Sequence, residues 1–141
     1  MTVWNPVITP VGNTSLQGWQ IQWGPMLNGD TANPVASSIA AALSFAGGVF
    51  DPTGFADRSV QVTGTFGSGG NLAWEGSNDL VNYYVLNNPQ GSALNIGSAG
   101  ISAVTEAVIG AKPVVTAGDV TTSLTVTAFF RRTFQQQTMP S

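Results

Sequence analysis

The residues of this chain that could do acid–base chemistry are a few carboxylates, and Glu75 and Asp79 lie close together in sequence. A glycosidase holds two carboxylates about 5 to 10 Å apart across its sugar, so the pair is a candidate for proton transfer. The structural alternative is that Glu75 faces solvent on a strand while Asp79 caps a turn through its own backbone. Because the chain contains no histidine and no cysteine, little else could complete such a site. We therefore expect no catalytic residue and no enzymatic activity.

Aspartates in predicted loops could also supply oxygen ligands to a calcium ion. These aspartates are Asp51, Asp57, Asp79 and Asp119. Calcium takes six to eight oxygens, usually with several carboxylates close in sequence, and the chain has no such acidic run. Turns capped by aspartate are the default interpretation, so we predict no metal site and no cofactor. The Gly-Ser-Gly-Gly segment 67–70 lacks the lysine and the following helix of a phosphate-binding loop and is interpreted as a hairpin loop.

Charge is scarce in the whole chain. Only 8% of the 141 residues are charged, whereas a soluble domain usually has about 25%. The net charge is -3 with four cationic residues, and a nucleic-acid binder needs several cations to displace counterions from phosphate. We therefore predict neither nucleic acid nor an anionic membrane as a partner. The first residues lack the basic and apolar regions of a signal peptide, so we expect a soluble protein without its own export signal.

Apolar and polar residues alternate through most of the chain, which is typical of half-buried strands. In segment 16–23 the residues Trp19, Ile21 and Trp23 share one face, and segments 58–66, 72–75 and 121–131 alternate in the same way. Further short strands are predicted at 7–11, 83–86, 94–96, 101–104 and 108–116. Segment 35–46 favours a strand, with a helix as the open alternative. The short strands and turns predict an all-β fold.

The predicted architecture is a single antiparallel β-sandwich, jelly-roll-like, with an extended N-terminal arm and a short C-terminal tail. The arm covers residues 1–15, the sandwich domain residues 16–132, and the tail residues 133–141. The uncharged stretches 3–29 and 31–50 make up much of the N-terminal third. We predict that this third contacts other subunits.

Large aromatic and arginine side chains are the candidates for a protein interface, because such residues are enriched at interface hot spots. We assign Trp74 to the core. The candidate interface residues are Trp4, Trp19, Trp23, Arg131, Arg132 and Phe134. The three tryptophans could equally cap the core of the sandwich. The two arginines suit bidentate contacts with carboxylates of a partner, although solvated strand ends are the ordinary alternative.

Several segments resemble a known class of viral proteins. They are Arg-Ser-Val-Gln-Val-Thr-Gly-Thr-Phe-Gly at 58–67, Trp-Glu-Gly-Ser-Asn-Asp at 74–79, Asn-Pro-Gln-Gly at 88–91, Ala-Gly-Asp at 117–119, and the strand 121–132. Together they resemble small β-sandwich structural proteins of tailed bacteriophages, the capsid decoration or cement proteins. The resemblance covers a little over half of the chain and implies no catalytic residue.

The resemblance implies a non-enzymatic virion structural protein on the outer surface of an icosahedral capsid. Such a protein would bridge subunits of the major capsid protein and associate with itself, as a trimer rather than a dimer. It would be made in the cytoplasm of a host bacterium. The alternative is a carbohydrate-binding β-sandwich module of a phage tail or host-recognition complex. The aromatic residues that could form its sugar-stacking platform are Trp4, Trp19, Trp23, Trp74, Tyr83 and Tyr84.

Overall fold

A computed structural model of the chain describes residues 1–11, 18–36, 57–106 and 108–131. Within these ranges the chain forms β-strands and no helix, so the all-β prediction is confirmed. The strands are β1 (Val3–Trp4), β2 (Val7–Val11), β3 (Gly18–Leu27), β4 (Thr31–Ala32), β5 (Val35–Ala36), β6 (Asp57–Thr65), β7 (Asn71–Ser77), β8 (Tyr84–Val85), β9 (Asn95–Ile96), β10 (Gly100–Ala103), β11 (Gly110–Ala117) and β12 (Ser123–Arg131). In the described residues no helix is long and apolar enough to span a membrane.

The strands form two five-stranded antiparallel sheets. Sheet I has the order β10-β6-β12-β3-β2, and sheet II has the order β5-β11-β7-β8 with β9 also paired to β7. A small parallel ribbon joins β1 to β4. The antiparallel sheets agree with the predicted β-sandwich, whereas the jelly-roll connectivity and the domain bounds stay predictions.

The core lies between the two sheets. In the central strand β12 the residues Leu124, Val126, Ala128 and Phe130 are buried, and the residues between them are more exposed. From opposite sheets Trp23 of β3 and Trp74 of β7 meet edge to face, with ring centroids 5.6 Å apart. Burial of a large apolar side chain contributes about 1.5–3 kcal/mol, so these inward faces hold the sheets together without any disulfide.

Strand β3 runs further than the sequence predicted. The alternation predicted a strand over 16–23, yet β3 continues through Gly24 and Pro25 to Leu27. The partner register explains the continuation, since Trp23 is opposite Val126 and Met26 is opposite Leu124. Two residues of β3 therefore face one residue of β12, which is a β-bulge, and a bulge accommodates proline inside a sheet.

The glycine-rich loop 67–70 is not a hairpin, so that prediction was wrong. Strand β6 before the loop belongs to sheet I, and β7 after it belongs to sheet II. The loop therefore carries the chain across the sandwich. Alternation gives each strand an apolar face, but it does not say whether consecutive strands pair within one sheet or lie in opposite sheets.

The first residues are paired into the fold. Strand β2 forms the edge of sheet I beside β3, with Ile8 opposite Ile21, and it has the bounds predicted for a strand at 7–11. Of the ambiguous segment 35–46, the structure describes only β5. The rest of that segment and the tail 133–141 lie outside the described residues.

Candidate functional site

Two of the candidate interface tryptophans are core residues. Trp19 is 5% exposed and Trp23 is 1% exposed, so neither indole presents a surface to a partner, and their place in the candidate interface is corrected. Both lie on the inward face of β3 and close the core, which was the other role predicted for them. The Trp23 indole Nε1 also donates a hydrogen bond to the carbonyl of Asn33 at 3.1 Å. Trp74 is buried as predicted.

The remaining interface candidates lie at or near the surface, or outside the described residues. Trp4 is half-buried against the core, and its Nε1 donates to Oδ2 of Asp30 at 2.9 Å. Arg131 is exposed at the end of β12. Arg132 and Phe134 lie outside the described residues.

Asp79 caps the turn that follows β7, as predicted. Its Oδ1 accepts hydrogen bonds from the backbone N–H groups of Val81 and Asn82 at 2.9 and 2.8 Å. Its Oδ2 accepts from the Asn82 side-chain amide at 2.9 Å, and Ser77 also donates to Oδ1. The Asn82 and Val81 backbone donors, with the two side-chain donors, hold the pKa of Asp79 far below its ordinary value. A carboxylate held in its ionised form suits the predicted Asx-turn.

Asp119 is engaged in the same way. Its Oδ1 accepts from the hydroxyl and the backbone N–H of Thr121, and its Oδ2 accepts from the Ser68 N–H at 2.8 Å. The Thr121 hydroxyl, followed by the Ser68 N–H, holds the pKa of Asp119 below its ordinary value. The described residues contain no cluster of three or more potential metal ligands, and Asp51 lies outside them.

The outer face of sheet I is an uncharged surface made by five strands. By register it is formed by Val7, Thr9, Gln20, Gln22, Ser59, Gln61, Thr63, Ile101, Thr125, Thr127 and Phe129. Gln22 donates across the strands to the hydroxyl of Thr127 at 3.2 Å. Among the described side chains of this face only Arg131, at one end of β12, is charged. A surface of this composition can be covered by another protein without leaving charges unpaired.

A second surface feature is a groove of about 520 Å³ at the end of β7. Its polar lining includes Asn78, Asp79, Asn82 and Glu106, and the exposed ring of Tyr84 also contributes to it.

Glu106 was not among the candidate residues predicted from the sequence. Both of its carboxylate oxygens accept from Asn87, at 2.8 Å from the backbone N–H and at 2.7 Å from the side-chain amide. These bonds, with the backbone donor as the largest cause, hold the pKa of Glu106 below its ordinary value. Because Asn87 is distant in sequence, no local pattern could have revealed the contact.

Comparison with known proteins adds no relative from which a function could be transferred. A scan against protein-family models and searches of curated proteins and of solved structures found no match to this chain.

Proposed function

We propose that this chain is a non-enzymatic structural protein of a phage virion, which decorates the outside of an icosahedral capsid and bridges subunits of the major capsid protein. The protein acts mechanically, since a rigid sandwich that contacts two neighbouring subunits opposes their separation. It is made in the cytoplasm of the host bacterium and joins the capsid exterior. Neither nucleic acid nor a membrane is a partner in this proposal.

The observation that carries the proposal is the uncharged outer face of sheet I. Central parts of protein interfaces are depleted in charged residues, and this face has glutamine, threonine and scattered apolar residues across five strands. Gln20 and Gln61 are exposed there, and Ile101 at the β10 edge is 69% exposed. Most soluble proteins would place lysine and glutamate on such a surface. The resemblance of residues 58–132 to decoration proteins supports the same conclusion.

The state of the carboxylates supports a non-enzymatic role. A general acid at neutral pH needs a raised pKa, whereas Asp79, Glu106 and Asp119 all have lowered pKa values. Without histidine or cysteine in the chain, the groups that most often act as general bases or as thiolate nucleophiles are missing.

Cryo-electron microscopy of the virion tests the proposal. We expect density of the size of this domain on the capsid exterior, between neighbouring capsid subunits. Capsid exteriors without that density, or density confined to the tail, would refute it. The second result would favour the alternative, a carbohydrate-binding module of a tail or host-recognition complex.

Single substitutions that introduce a charge test which face of the sandwich docks on the capsid. Gln20→Glu and Gln61→Glu each place a carboxylate on the outer face of sheet I, and we expect lower occupancy on the capsid because that charge must be desolvated on docking. Gln90→Glu is the matched control, since Gln90 is exposed in the 87–91 turn, away from this face. Equal occupancy for all three variants, measured by co-sedimentation with capsids, would exclude this face as the docking surface.

Self-association is the last part of the proposal. Copies that surround a local symmetry axis of a shell are related by closed symmetry, and we expect them to form a trimer rather than a dimer. With a chain mass of 14.6 kDa, light scattering after size-exclusion chromatography is expected to give three times that mass. A monomer at every concentration would restrict assembly to the capsid surface and would contradict a preformed trimer.

A further inference from the structure

The groove at the end of β7 combines an aromatic ring with several fixed polar groups. Tyr84 is 72% exposed at its rim, so one surface of its ring is open to solvent. The polar lining consists of Ser77, Asn78, Asp79, Asn82 and Glu106. The volume, about 520 Å³, is in the range of small-molecule binding sites.

The polar groups are held in place before any ligand arrives. The Asn78 side-chain oxygen accepts from the Ile109 N–H at 3.2 Å, which orients its amide and leaves the NH₂ group for another partner. Asn82 is tied to Asp79 at 2.9 Å, and Glu106 is tied to Asn87 by both of its oxygens. Oδ1 of Asp79 already accepts three hydrogen bonds, whereas Oδ2 of Asp79 and each oxygen of Glu106 accept one from these partners and retain a lone pair for a further donor. Binding groups that are already ordered lose little entropy when a ligand binds.

This combination matches the chemistry of a sugar ring. A pyranose presents one apolar face of C–H groups, which can lie on an aromatic ring, and a rim of hydroxyls that both donate and accept hydrogen bonds. Carboxylates accept from hydroxyls, and the amides of Asn78 and Asn82 offer donors as well as acceptors. We propose that this groove binds a neutral oligosaccharide, with a sugar ring on Tyr84 and hydroxyls on Asp79, Asn82 and Glu106.

Charge selects neutral sugars over acidic ones. The lining residues include two carboxylates and no cation, and the lowered pKa values of Asp79 and Glu106 keep both ionised at neutral pH. Arg58 lies near enough to Glu106 to contribute to that lowering, but it does not line the groove. A uronate or a sialic acid would therefore bring a like charge into the groove, which disfavours its binding.

The same groups are unsuited to cleave the sugar. A glycosidase needs one carboxylic acid that stays protonated at the working pH, and neither groove carboxylate has a raised pKa. The inference is therefore binding without hydrolysis. It does not depend on capsid docking, because none of the lining residues belongs to the outer face of sheet I.

The test uses the full chain against an array that contains neutral hexose and N-acetylhexosamine oligosaccharides together with uronate-containing and sialylated ones. The strongest neutral oligosaccharide on the array is then titrated by calorimetry into the native protein and its variants. Tyr84→Ala is expected to weaken binding about tenfold or more, and Tyr84→Trp, which keeps an aromatic surface, is expected to retain it.

Tyr83→Ala is the matched control. Tyr83 is the neighbouring tyrosine, its ring contacts Lys112 with Nζ 4.5 Å from the centroid, and it does not line the groove, so binding is expected to stay unchanged. Three results would each overturn the inference: no neutral oligosaccharide retained by the native protein, equal affinity for Tyr84→Ala and the native chain, or preference for acidic glycans. Capsid occupancy of Tyr84→Ala is expected to equal that of the native chain, so failure here is distinguishable from failure of the capsid proposal.

Discussion

At the scale of single residues, the buried carboxylate of Asp30 connects the N-terminus to the sandwich. Asp30 is 3% exposed, and it accepts hydrogen bonds from Thr2 N–H, Trp4 Nε1 and Leu27 N–H at 2.8 to 2.9 Å. Burial alone would raise the pKa of Asp30, but the hydrogen bonds from Leu27, Trp4 and Thr2 together lower it. A carboxylate accepts from all three donors, whereas an amide cannot do so with its NH₂ end.

Asp30→Asn tests this role. The asparagine NH₂ group would face an N–H donor, so at least one hydrogen bond is lost and a polar group is left unsatisfied in a buried site. We expect the free energy of unfolding to fall by about 2–3 kcal/mol, measured by urea denaturation. Glu75→Gln makes the same chemical change on a half-exposed residue of β7 and is expected to stay within about 0.5 kcal/mol of the native value. Equal stabilities of the two variants would contradict the role of Asp30.

At the scale of elements, two crossings between the sheets are bonded to each other. Residues 66–70 lead from β6 in sheet I to β7 in sheet II, and residues 118–122 lead from β11 in sheet II back to β12 in sheet I. Thr122 is 1% exposed, and its hydroxyl donates to the Phe66 carbonyl at 2.8 Å while it accepts from the Asp119 N–H at 2.9 Å. One hydroxyl thus satisfies two backbone groups of different crossings.

Thr122→Val preserves the shape of this side chain and removes both hydrogen bonds. Because the Phe66 carbonyl and the Asp119 N–H both lose a partner in a partly buried place, we expect a loss of about 2 kcal/mol in the free energy of unfolding. Thr125→Val is the control, since Thr125 is half-exposed on the outer face of β12 and valine suits a strand. Chemical denaturation of both variants checks the difference, and a Thr122→Val protein as stable as the control would refute the bonded crossings.

At the scale of the whole molecule, the pH dependence of stability follows from its carboxylates. Asp30, Asp79, Asp119 and Glu106 all have lowered pKa values in the folded chain. Their ordinary values, 3.8 for aspartate and 4.5 for glutamate, describe the unfolded chain. A carboxylate whose pKa is lowered by folding stabilises the folded chain at pH values above its ordinary pKa. This contribution is lost as the pH falls through the lowered pKa.

We therefore expect a constant melting temperature between about pH 5.5 and 7. The chain has no histidine, and no other side-chain type has its ordinary pKa within this range. Below about pH 4.5 the melting temperature is expected to fall, and it should continue to fall below pH 3.8 as protons bind to the unfolded chain first. Thermal unfolding followed by circular dichroism across this range checks the profile. A melting temperature that rises on acidification below pH 4.5 would contradict it.

Local pattern predicted most of the strands and some of the residue roles. The alternation in β3, β6 and β12, the turn cap at Asp79 and the burial of Trp74 could all be read from neighbouring residues. The roles of Asp30, Glu106 and Thr122 could not, because each depends on a partner distant in sequence. Tyr84 was predicted as a candidate for sugar stacking, but the groove itself was missed, since Tyr84 and Glu106 come from separate segments.

The sequence by itself determined that this chain forms strands with one apolar face joined by turns, and that it carries little charge. Period-two alternation and turn residues involve only neighbouring residues, so both can be recognised in the sequence without a structure. Only the tertiary structure decided which strands share a sheet, that loop 67–70 crosses the sandwich, and that Trp19 and Trp23 fill the core. These outcomes depend on which apolar faces meet across the chain, and an alternating strand is compatible with many partners until packing selects one.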